Sequence, residues 1–402
     1  MNKKTLLFLL IFLIIIGPII VYSAKGHNQS EFVRVDGIEN FSPETVQGTG
    51  DYFLIYPRDL RVSQDFTLVK EVEKNGKVIR KYKIFDEEFS RMLPHQKPNK
   101  IDQLYISFFG DTAIDNYYFT YDIPKKSFKK VNVDYFNFDV GIDHIMHYGN
   151  DIILQTIMSH KTGDQNYNEK IGGHNVSISN ATTKKSFETE YRRSPLFAPI
   201  LNFKEMLIYG TTAILEKNDE YAEHGIAIVD LKNDSVRYET FGTKDIALIP
   251  LFSTSELAYI LGENGKVYVY DKDFHYTTYE PFKNLPPQQY YDIYENGQLA
   301  LDDHRILYCL RGIGEEERFS LGILNLEGEP NFQLFNADFA NTKHWYEPLY
   351  QNLEEKEIYV KEMSNDKEDN HVIILDSESL KVKAKIPVDS NHLLDFIVKM
   401  NH

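Results

Sequence analysis

Between residues 196 and 241 the apolar positions fall into four short runs divided by polar breaks. A run around 199–203 gives way to 206–211 after a short polar interruption, and beyond a longer polar loop come 225–231 and 235–241. The last two read HGIAIVDLKNDSVRYETF: apolar Ile226, Ile228 and Val229, then Asp230, a polar turn, and a second alternation at Val236 and Tyr238. Period-two patterning on both sides of a short polar turn predicts a β-hairpin. The whole stretch therefore predicts a unit of four short strands.

The hairpin recurs. An Asp or Asn opens the turn at Asp122, Asn180, Asp230, Asp271, Asn325 and Asp376, at intervals of roughly fifty residues, and a weaker copy lies at 73–76 in LVKEVEKNGKVIRKY. These short side chains accept hydrogen bonds from backbone amides two residues on, so they are predicted as turn-formers and not as parts of an active site. The first half of the unit recurs at 145–154, 200–208, 251–260, 293–301 and, with a longer turn, 349–360. Four-stranded units at this period predict an all-β chain folded as a β-propeller. The hairpins number seven blades, or six if the first hairpin belongs to the closure. Segments 51–92 and 93–134 fit the pattern poorly, and their first strands cannot be placed. A ring must also close, because an open edge leaves a row of unpaired amides. The run LLDFIVK at 393–399 has no partner in the last unit and is the candidate closing strand, pairing with the first.

The hairpins AIVDLKNDSVRYE (227–239), VYVYDKDFHYTTYE (267–280) and VIILDSESLKVKA (372–384) carry a resemblance to bacterial repeat propellers of the WD40-like and YVTN-like kind. The resemblance covers residues 50–400 and is one of architecture. The chain lacks the Gly-His/Trp-Asp pair, the Tyr-Trp-Thr-Asp motif and the Ser-x-Asp-x-Gly-x-Thr-Trp box. Such propellers host unrelated activities, so the resemblance implies a fold and no chemistry.

Ahead of the repeats, Lys3 and Lys4 precede an apolar run at 6–22. Residues 5–24 as a helix would span about 30 Å, the thickness of a bilayer's hydrocarbon core. Val21 and Ser23 also fit the small-residue spacing of a signal-peptidase site. The expected organisation is a leader at 1–24, acting as transmembrane anchor or signal peptide, a polar linker at 25–49 with a strand-like 32–35, and a propeller at 50–402. Either reading of the leader exports the remainder, which is then held at the cell membrane or secreted. Composition agrees: 27 Tyr and 26 Phe against one Trp suit sheets, and a net charge of −16 argues against a nucleic-acid partner. A single cysteine, Cys309 in RILYCLRG, cannot form an internal disulfide and reads as a buried small apolar residue.

Candidate chemistry is sparse. In a propeller the first strand of each blade lines the central channel, and residues just before these strands would ring its mouth: Asp143 and His144, Pro199, Pro250, Asp292, and Glu347 with Pro348. Asp143, Asp292 and Glu347 come from three units, with His144 beside them. Converging carboxylates can hold a hard cation such as calcium or divide acid and base roles. His144 and His147 would share a face if helical, which is a metal-ligand spacing, but in a strand they fall on opposite faces. The aromatic runs containing Tyr291, Trp345 and Tyr346, and the run 135–138, would either stack on sugar rings or wedge between blades as core. His160, His174, His224, His275, His304, His344 and His371 read as scattered solvated side chains. The reading that follows is an exported β-propeller acting as a binding module at the outer face of the membrane, for an envelope protein, a glycan or a cationic ligand. Its alternative is a hydrolase or lactonase-like enzyme with a metal at the channel. No catalytic residue is named.

Overall fold

A computed structural model describes residues 32–400 apart from 60–63, 91, 97–101, 109–116, 135–139, 149–150, 159–175, 181–184, 190–199, 215–222, 245–246, 284–290, 313–317, 336–343, 365–368 and 390. The predicted leader lies outside the described residues. Among the described residues no helix is long and apolar enough to cross a membrane.

The described strands form seven sheets, six of four strands and one of five. Sheets 2 to 7 are antiparallel meanders in which successive strands are neighbours. Sheet 5 is typical: Leu248–Ser253, Ala258–Gly262, Val267–Tyr270 and Tyr276–Tyr279. Sheet 6 starts at Tyr291–Ala300, followed by Arg305–Gly312, Arg318–Asn325 and Asn331–Leu334. Sheet 7 comprises Trp345–Asn352, Glu357–Met363, His371–Asp376 and Val382–Pro387. The first strands of sheets 2, 3 and 4 are Met92–Gln96, Val140–Tyr148 and Leu201–Phe203.

Sheet 1 is assembled differently. Its second, third and fourth strands, Tyr52–Tyr56, Thr67–Val72 and Val78–Phe85, are consecutive, but its first strand is Phe396–Lys399 from the far end of the chain, antiparallel to Tyr52–Tyr56. The candidate closing strand thus takes the place expected of it. It also explains why the segment from residue 51 resisted the repeat pattern: it opens on a second strand. Phe32–Asp36 adds a fifth strand, parallel to Val78–Phe85, on the outer edge.

The cores between sheets form a cycle. One apolar cluster joins sheets 1, 2 and 7, and others join 2 with 3, 3 with 4, 4 with 5, 5 with 6, and 6 with 7. A ring of sheets, each packed face to face on the next and closed by a strand from the other terminus, is a β-propeller. Because both faces of a sheet pack on neighbours, its middle strands are apolar on both sides. Ile226, Ala227, Ile228 and Val229 are all buried in succession, whereas Tyr276–Tyr279, on the outer edge of sheet 5, is largely exposed.

The turn-formers do what their chemistry predicts. Asp230 Oδ1 accepts from the amides of Lys232 and Asn233, Asp271 Oδ1 from Asp273 and His275, Asn325 Oδ1 from Glu327, and Asp376 Oδ1 from Glu378 and Ser379. One expected hairpin is corrected. Residues 293–301 are not two strands: the polar 294–297 form a bulge inside Tyr291–Ala300, at a register shift between Ile293 and Gln298. The turn comes later, where Asp302 Oδ1 accepts from His304 and Arg305. Polar residues in a strand mimic a turn in sequence when a bulge takes them out of the ladder.

Candidate functional site

Apart from Pro199, which lies outside the described residues, the residues predicted to ring the channel mouth fall on first strands. Asp143 and His144 lie in Val140–Tyr148 of sheet 3, Tyr291 and Asp292 in the first strand of sheet 6, and Trp345, Tyr346 and Glu347 in that of sheet 7. They sit within these strands and not just ahead of them. Asp143 is the unpaired extra residue of a bulge, since His144 faces Gln155 and Ile142 faces Thr156. Leu251 and Leu349 hold the corresponding bulge positions in sheets 5 and 7. The stretch 144–147 is strand, so the helical spacing that would pair His144 with His147 does not apply. The side chains of Asp143, His144, Tyr291 and Asp292 lie outside the described residues, as do Pro199 and 135–138.

Sheet 7 supplies the described part of the site, and register decides which side chains meet. Glu347 faces Lys361 across the first two strands. Their carboxylate and ammonium lie 2.6 Å apart with both side chains buried, and Lys361 Nζ also donates to the Leu394 carbonyl at 3.3 Å. Tyr346 faces Glu362, which in turn faces His371. Alternation places this second group on the other face of the sheet, the face whose Tyr346, Ile358 and Val360 pack with sheet 6.

Glu362 is fully buried and is the hub of that group. Nδ1 of His344 lies 3.0 Å from one carboxylate oxygen, and Nδ1 of His371 and Nζ of Lys385 lie 3.2 and 2.8 Å from the other. The Tyr346 hydroxyl donates at 3.3 Å. Burial alone would raise the carboxyl's pKa, but His371, Lys385 and His344 outweigh it and hold the group at about 2. Such a carboxylate stays ionised at neutral pH and is a weak proton acceptor. Its chemistry is to fix the rings and the lysine around it.

The expectation of scattered solvated histidines is therefore corrected for two of them. His344 is buried and His371 is largely so, and both converge on one carboxylate. Sequence reasoning missed Lys361, Glu362, His371 and Lys385 because they meet across strands and share no local spacing. The available signal was the pair Lys361-Glu362 inside the otherwise apolar EIYVKEM strand. Tyr346 belongs to the core between sheets 6 and 7, and Trp345 packs against it. Cys309 is fully buried, and burial pushes its thiol up to about 12. Among the described residues no group of three or more His, Cys, Asp or Glu is placed to hold a metal ion.

A second buried carboxylate, Glu357, lies at the other end of the same strand. Tyr52 and Tyr359 hydroxyls donate to it at 3.0 and 2.9 Å, and Lys383 and Lys399 approach to 2.9 and 3.2 Å. Tyr52 is on the second strand of sheet 1 and Lys399 on its first. Glu357 thus clasps both strands of the closure from the neighbouring sheet.

Ring and closure together define the class, an all-β propeller. No protein-family model matches the chain, and no curated protein matches it significantly. Similar solved structures include the β-propeller domain of the Trilobed protease from Pyrococcus furiosus, 12% identical with a TM-score of 0.45 over 85% of this chain and 100% of that one. A quinonprotein alcohol dehydrogenase-like protein from Bacteroides thetaiotaomicron is 11% identical, with a TM-score of 0.44 over 87% and 78%. A prolyl endopeptidase is 10% identical, with a TM-score of 0.43 over 92% and 52%. At this distance the likenesses transfer no activity to this chain.

Proposed function

We propose that the chain is an exported, membrane-tethered propeller whose seven sheets are seven blades, and that it works as a binding module and not as an enzyme. Its ligand is an envelope protein or a glycan, taken at the end of the ring where the first strands begin. One observation carries this reading: the two acids of the sheet 7 site are buried and already engaged, Glu347 by Lys361 and Glu362 by Lys385 with the His344 and His371 rings beside it. Groups held in this way keep a surface rigid for recognition. A calcium ion drawn to Glu347 would have to displace a lysine ammonium 2.6 Å away, which disfavours the metal-dependent hydrolase.

Photo-crosslinking in intact cells tests the proposal. A crosslinker in place of Asn391, exposed in the 388–395 connection that leads into Phe396–Lys399, is expected to capture a discrete envelope component. The same group at Lys272, in the outer hairpin of sheet 5, is expected to capture none. Equal capture at both positions would overturn the assignment of the binding end. A stoichiometric metal lost in Asp292→Asn, with hydrolytic turnover lost alongside it, would overturn the non-enzymatic reading.

A further inference from the structure

In a chain of net charge −16, the outer rim of sheet 1 is basic. Its two outermost strands read FVRVD and VIRKYKIF, with Arg34, Arg80, Lys81 and Lys83 against one acid, Asp36. The strip is also apolar where it meets solvent: Phe32 is 45% exposed and Val33 39%. Lys81 and Lys83 hold their ammonium groups 5.8 and 4.4 Å from the Phe32 ring, Lys83 is 4.3 Å from that of Phe66, and the Arg34 guanidinium lies 3.8 Å over Phe85. Aromatic rings interleaved with cations, partly open to water, suit the boundary between phospholipid headgroups and acyl chains.

Position along the chain points the same way. Phe32 stands eight residues beyond Ala24, the end of the predicted anchor. Even a fully extended chain at about 3.5 Å per residue keeps this rim within roughly 28 Å of the anchor's end. We propose that the Phe32–Asp36 and Val78–Phe85 strip is a docking surface for an anionic phospholipid bilayer, so that the ring rests on the membrane by the rim of sheet 1. The proposal rests on the anchored reading above. An apolar span and a basic patch acting together give firmer membrane attachment than either alone, and the arrangement leaves the opposite rim, at sheet 5, farthest from the lipid.

The test uses the full-length protein in vesicles of phosphatidylcholine alone or mixed with phosphatidylglycerol. Fluorophores are placed on Val33→Cys and, separately, on Tyr276→Cys, which is 48% exposed on the sheet 5 rim; Cys309 is buried and stays unlabelled. Quenching by spin-labelled lipid is expected to be several-fold stronger at position 33 than at 276 in the anionic vesicles. Lys81→Glu with Lys83→Glu should remove most of that difference while leaving the urea midpoint unchanged. Equal quenching at the two positions, or no response to charge reversal, would overturn the docking surface. Intact mass on the cell-derived protein reports separately on the anchor. If the leader is cleaved, the anchored reading fails, and flotation of the mature protein decides the patch: it stands if the protein floats with anionic vesicles and falls if it does not.

Discussion

Sheets 1 and 5 have the same first-to-second strand pairing, built by different means. In sheet 5 a four-residue turn joins Leu248–Ser253 to Ala258–Gly262, pinned by Thr254, whose Oγ1 accepts from the amides of Glu256 and Leu257. In sheet 1 no turn joins Phe396–Lys399 to Tyr52–Tyr56. The chain offers side chains from sheet 7 in its place: Glu357 takes Tyr52 on one strand and Lys399 on the other, Glu355 takes Lys399 at 3.0 Å, and the Tyr350 hydroxyl donates to the Ile397 carbonyl at 2.5 Å. Where a short turn makes pairing local, one hydroxyl suffices to set it. Where the partners lie some 340 residues apart, the larger closure entropy is offset by buried charge and tyrosine.

The largest effect should come from removing residues 396–402. Phe396 and Ile397 are fully buried and Val398 and Met400 nearly so; at about 1.5–3 kcal/mol each their loss rivals the 5–15 kcal/mol of a typical domain. The cooperative urea transition, followed through the single Trp345, is expected to disappear. Glu357→Ala should cost about 3–5 kcal/mol, because it strands lysines beside a buried site. In a double-mutant cycle with Lys399→Met the two losses should fall short of additive by about 0.5–3 kcal/mol; strict additivity would remove the clasp.

Glu362 separates charge at the closure from charge elsewhere in sheet 7, since it faces sheet 6. Its carboxyl is depressed from 4.5 to about 2 in the folded protein. Its contribution is therefore complete above pH 4.5 and is lost as pH falls from 4.5 through 2, by roughly 3 kcal/mol in all. Glu362→Gln should flatten stability over that window and leave the coupling of Glu357 with Lys399 intact. The smallest effect is expected in the covalent counterpart: Thr254→Ala should lower stability by only about 1 kcal/mol. A Thr254 loss as large as that of Glu357 would erase the contrast between the two sheets.

What could be read in the sequence follows the same divide. The outer hairpins were legible because Asp230, Asp271 and Asp376 act on amides two to four residues away. The strand at 32–35 and the closing run at 393–399 were legible as short apolar runs. The first strand of sheet 6 was not, because its bulge at 294–297 looks like a turn. Lys361 with Glu347 and Glu362 with His344 and His371 were also hidden, since cross-strand register, set by the fold, brings them together.

The Met400 amide donates to the Asp51 carbonyl at 3.0 Å, so the two sides of the closure are already in contact. A short peptide between them, in a chain without residues 1–50 and reopened at 254–257, would give a circular permutant in which sheet 1 gains a turn and sheet 5 becomes the seam, its first two strands paired with no turn between them. The ring itself has no beginning: its cut point is a property of the gene, and the Glu357 clasp marks where that cut happens to fall.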